Sequence, residues 1–60
     1  MTAKDIITNT IYNSLVDELG KDTANNWAEA TVRTYREGVY DNVTALINNN
    51  IQYALTGEEL

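Results

Sequence analysis

The residues that could do chemistry are few. Ser14 is the only serine, and the chain has no histidine and no cysteine. A hydroxyl nucleophile needs a neighbouring base to take its proton, so a hydrolytic triad cannot be assembled from this sequence. Threonine occurs eight times, yet no activating partner accompanies any of them. Acid–base work by paired carboxylates has two candidates, Asp17/Glu18 and Glu58/Glu59. Neighbouring residues of a helix diverge by about 100°, so neither pair converges on one proton, and both read as solvated surface acids. A metal would have to be held by oxygen alone, and no D-x-[DN]-x-[DN]-G calcium loop is present. The three glycines, at 20, 38 and 57, are 18 and 19 residues apart and cannot form a phosphate cradle. A ligand pocket of about 300 Å³ or more is also hard to carve from so short a chain. The expectation is a protein that is not an enzyme and carries no cofactor and no metal.

Whatever positions these side chains is helical. Gly20, Gly38 and Gly57 each follow a helix-like run, where a left-handed glycine cap is common. Thr2 precedes the first run, with Asp5 three residues on in the manner of a capping box. Asp22 and Asp41 precede the second and third runs. The spacing predicts helices near 3–19, 23–37 and 42–56 within a single domain over 1–60. Apolar residues recur at the helical period. Helix 1 gathers Ile7, Ile11, Tyr12, Leu15, Val16 and Leu19 on one face, with Ile6 outside it. Helix 2 gathers Ala24, Ala28, Thr31, Val32 and Tyr35, with Trp27 on the flank. Helix 3 gathers Val43, Leu46, Ile47, Ile51, Ala54 and Leu55, with Tyr53 at the edge. Glu29 and Arg33 form an i,i+4 pair in the favourable order.

The expected fold is an all-α, small three-helix bundle. An alternative follows from the stripe of helix 2 continuing nearly in phase through Val39 into helix 3. Gly38 would then sit inside one long helix at a cost of about 1 kcal/mol, and the resulting helical hairpin would dimerise into a four-helix bundle. The cluster of Gly38, Asp41 and Asn42 favours a turn. Two polar residues interrupt the apolar faces, Thr8 in helix 1 and Asn50 in helix 3. A buried Asn can fix oligomeric state; a rim position that meets water is the reading preferred for both.

Bulk composition narrows the partners. The chain has 60 residues, 4 Lys+Arg against 9 Asp+Glu, and a net charge of -5. The charge sums to -2 over 1–20, 0 over 21–38 and -3 over 39–60. Nucleic-acid affinity rests on neutralising phosphates with Lys and Arg. A helix-turn-helix reader in helix 3 would offer Asn42, Asn48, Asn49 and Gln52 with no base beside them, so direct nucleic-acid binding is not expected. An acidic surface of Asp17, Glu18, Asp41, Glu58 and Glu59 could instead mimic DNA, although -5 is a modest charge for that role. No run approaches the roughly 20 apolar residues of a membrane span, and the opening MTAKDIITNT lacks the apolar stretch of a secretory leader. A cytoplasmic location is expected, the host cytoplasm if the protein is viral.

The informative surplus is aromatic: Trp27, Tyr12, Tyr35, Tyr40 and Tyr53 on one small chain. Trp27 and Tyr35 fit the gap left by Ala24 and Ala28 in the core. Tyr40, Tyr53 and Ile6 are left as candidates for binding a partner, since aromatic side chains make good interface anchors. A short, acidic, Asn-rich, all-helical chain resembles small phage proteins that act by binding a host or phage protein, a likeness of composition. The expected function is a non-catalytic inhibitor or regulator that occupies a surface of a larger protein. The alternatives are a DNA mimic or helix-turn-helix-related regulator, and a self-assembling structural component such as a homodimer.

Overall fold

The helix-forming pattern is realised as α1 (Ala3–Leu19), α2 (Lys21–Arg36) and α3 (Val43–Thr56) in a computed structural model that describes residues 2–38 and 42–57. The three helices pack together as a small all-α bundle, with no strand among the described residues. The continuous-helix alternative does not hold. Helix α2 stops at Arg36, Glu37 caps it with its N–H on the Arg33 carbonyl, and Gly38 follows at φ +75°.

Each helix starts for a local reason. At α1, the Thr2 hydroxyl accepts from the Asp5 N–H at 3.2 Å while the Thr2 N–H donates to the Asp5 carboxylate at 3.4 Å, closing the expected capping box. At α3 the cap is Asn42, whose Oδ1 accepts from the Ala45 N–H at 3.2 Å. Asp41, expected in that role, lies outside the described residues. Helix α2 begins two residues earlier than expected, at Lys21, and Asp22 sits inside its first turn. There the carboxylate faces the positive end of the helix dipole without capping it.

The early start of α2 traces to Gly20. Its N–H donates to the Val16 carbonyl, and its own carbonyl accepts from the Ala24 N–H, both at 3.0 Å. One residue therefore ends α1 and opens α2. Its backbone is not the left-handed cap expected, for φ is +86° and ψ is +165°. That region is open essentially to glycine alone. Gly57, at φ +79° and ψ +9°, is the left-handed cap of α3, its N–H on the Tyr53 carbonyl at 2.8 Å.

The core is one layer of side chains. Ile7, Ile11 and Leu15 come from α1, Ala24, Ala28 and Val32 from α2, and Leu46 and Ile47 from α3. Tyr12, Val16, Leu19, Trp27, Tyr35, Val43, Ile51 and Ala54 pack around them. Two alanines one turn apart raise no ridge on α2, which lets an opposing helix approach closely. The Cα trace measures 27 × 25 × 15 Å. Its thin dimension is about one interhelical spacing plus two helix radii, so the molecule is two helices thick. Leu55 departs from expectation. It is 41% exposed, because it stands at the border of the α3 stripe in the last turn.

The polar residues on these faces are satisfied within their own helices. Thr31 is fully buried, and its hydroxyl donates to the Trp27 carbonyl at 2.7 Å. Asn50 is half-buried, and its amide donates to the Leu46 carbonyl at 2.9 Å. One amide donor is already turned back to its own backbone, so Asn50→Leu should leave the sedimentation coefficient unchanged; a change of oligomeric state would show that the amide reads a second subunit.

Nothing lies within 4 Å of a Cβ built on Gly20, so the cost of a side chain there is purely backbone strain. Gly20→Ala should lower unfolding free energy by about 1–3 kcal/mol in urea denaturation. D-alanine, for which a positive φ is relaxed, should restore it in a synthetic chain. Equal stability of the two alanine forms would disprove the strain argument.

Candidate functional site

Helix α2 presents different chemistry on its two flanks. Trp27 lies on one flank and is half-buried against the core. Tyr53 reaches it from the edge of α3, with ring centroids 5.7 Å apart and planes tilted by 51°. Such a tilted pair contributes about 0.5–1.5 kcal/mol beyond the area it buries. Tyr53 nonetheless stays 44% exposed. Beside Trp27 is a shallow depression of about 170 Å³ lined by Asn26, Trp27 and Ala30. The result is an aromatic surface with a small concavity next to it, fixed in place by the α2–α3 contact.

The other partner-binding candidates are not brought to this surface in one patch. Ile6 is 43% exposed on α1. One turn away on its own helix stand Thr2, Ala3, Asn9 and Thr10, so its one apolar neighbour there is the small Ala3. Tyr53 and Leu55 are about 200° apart around α3 and occupy opposite edges. Tyr40 lies outside the described residues. So do Asp41, Glu58 and Glu59 of the expected acidic surface. Asp17 and Glu18 are exposed near the end of α1.

The opposite flank of α2 was not singled out from sequence. Between it and α1 runs a groove of about 440 Å³ that gathers Lys4, Arg33 and Arg36, three of the four cationic side chains of the chain. Glu29 is the one carboxylate on its wall. Lys4 opens α1 and Arg36 closes α2, so their meeting reflects the antiparallel course imposed at Gly20. The signal present in the sequence was the placement of Glu29, Arg33 and Arg36 on one helical stripe. The sequence alone could not say that Lys4 joins them. The expected Glu29–Arg33 bridge is not formed: among the described residues, neither side chain is engaged in an ion pair.

Thr8 is half-buried on the groove wall, the rim position preferred for it. No histidine or cysteine exists to act with it. Among the described residues, no three acidic side chains gather in a way that could hold a metal ion. Nor is any helix among them long and apolar enough to cross a membrane. The two surfaces differ in chemistry, apolar and aromatic at Trp27–Tyr53 and cationic in the α1–α2 groove. No family model matches the chain, and neither a curated protein nor a solved structure matches it.

Proposed function

We propose that the chain is a non-catalytic protein-binding module, an inhibitor or regulator that acts by occupying a surface of a larger protein. The observation that carries this reading is the exposed Tyr53 ring held against Trp27 beside the Ala30 depression. Tyrosine and tryptophan dominate binding energy where they are rigid and can be dried by a partner. Here the tyrosine is supported from below by an anchored indole, so little conformational freedom remains to be lost on docking. The depression beside it offers a seat for one apolar side chain of the partner. The compositional likeness to small phage regulators agrees with this reading.

The test is capture of a partner by the immobilised chain from its source cells, with the bound protein identified by mass spectrometry. Retention through an aromatic surface should be nearly the same at low and moderate ionic strength, since screening acts on exposed charges. Tyr53→Ala and Ala30→Glu should each weaken retention by about tenfold or more. Unchanged retention by both variants removes this surface from the function. Retention that vanishes with salt would replace aromatic docking with an electrostatic decoy.

A further inference from the structure

We propose that the groove between α1 and α2 binds a short acidic peptide segment, taken up in extended form with carboxylates at alternate residues. This site lies on the flank of α2 away from Trp27 and stands whether or not the aromatic surface docks a partner.

The chain carries 9 acids and 4 bases, yet three of those bases are drawn to one groove with a single carboxylate among them. Among the described residues, none of Lys4, Arg33 and Arg36 is engaged in an ion pair or a side-chain hydrogen bond. Three bases against the single Glu29 carboxylate leave the groove with an excess of positive charge, which an anionic guest offsets. Guanidinium groups are suited to carboxylates because their donors form a planar fork that pairs with both oxygens. The remaining polar members of the wall, Thr8 and Asn25, can also donate.

Geometry selects the guest. From Asn25 to Arg36 the wall supplied by α2 is about 17 Å long, the length of about five extended residues. Arg33 and Arg36 stand one helical turn apart, with Cβ atoms about 5–6 Å from each other. Alternate side chains of an extended peptide recur at about 7 Å on one face, a spacing that long guanidinium arms can meet. The floor contains Ala28 and Val32, only 1% and 7% exposed, so the recognition rests on the charged and polar walls. A nucleic-acid duplex is a poorer guest. It is a long polyanion, and beyond the groove it would meet a chain whose total charge is -5.

The experiment is a titration of the ¹⁵N-labelled full chain with the peptide acetyl-Glu-Ser-Glu-Ser-Glu-amide, followed by NMR. Three other probes run in parallel: the Gln-Ser-Gln-Ser-Gln counterpart, a peptide with one phosphoserine and no glutamate, and a short DNA duplex. The glutamate peptide should shift the signals of Lys4 and of α2 from Asn25 to Arg36, and the glutamine peptide should not. The combined Arg33→Gln and Arg36→Gln change should weaken binding by about tenfold or more. Lys21→Gln removes the one base outside the groove and should alter binding by less than about twofold. Circular dichroism checks that each variant folds. Should the double variant unfold, Lys4→Gln, at an exposed first-turn position, supplies the same reading. The proposal is overturned by any of four results: no shifts at millimolar peptide, equal binding of the glutamine peptide, equal loss on Lys21→Gln, or preference for the phosphoserine peptide or the duplex.

Discussion

The bundle depends on a reversal of direction accomplished by a single residue. Gly20 is the last hydrogen-bonded donor of one helix and the first acceptor of the next. A connection with no further residues leaves α2 no freedom to slide along α1 or to rotate about its own axis. The phase of both helices is therefore locked from the turn outward. Ala24 and Ala28 face inward because they follow the turn by four and eight residues, and Ile11 and Leu15 because they precede it by nine and five. The pairing of Lys4 with the far end of α2 is the distal result of the same constraint.

A chain two helices thick has no interior beyond its one shared layer. Among the described residues most large apolar side chains join that layer or line its border, with Ile6, Tyr53 and Leu55 left exposed, and the alanines of α2 keep the layer thin. The polar groups that fall within it, on Thr31 and Asn50, return their hydrogen bonds to their own backbone. Among the described residues no buried side-chain polar atom is left without a hydrogen-bond partner. What the molecule can offer to others is carried on its outside, by side chains whose positions the helices fix.

Much of this was legible in the sequence because it is local. The α1 range, the capping box at Thr2 and Asp5, and the assignment of inward faces follow from spacing and from short-range hydrogen bonds. The start of α2 was misplaced because Asp22 looks like a cap, whereas the true cap is a glycine acting through its backbone and has no side-chain signature. Leu55 was assigned inward on its apolar character, but no helix covers that edge of α3 in its last turn. The pairing of Tyr53 with Trp27 was half legible. Each residue read as the border of its own helix, and only the packing of α2 on α3 shows that the borders coincide. The groove was the least legible feature, since it joins residues about thirty positions apart through a turn whose geometry no composition encodes.

The placement of charge gives the protein a direction as well as a sum. Lys4, Arg33 and Arg36 cluster at the end of the α1–α2 pair away from Gly20, while Asp17 and Glu18 stand near the turn, about 20 Å along α1 from Lys4. Counting Asp5, Glu29 and Glu37 with those bases, and Lys21 and Asp22 with the acids at the turn, the described α1–α2 pair runs from a charge of 0 at one end to -2 at the other. A charge gradient of this kind gives rise to a torque in the field of an approaching macromolecule before any atoms touch. That alignment operates over about a Debye length, 8–10 Å at ordinary ionic strength. Orientation on encounter is thus a property of the turn as much as of the charged residues themselves.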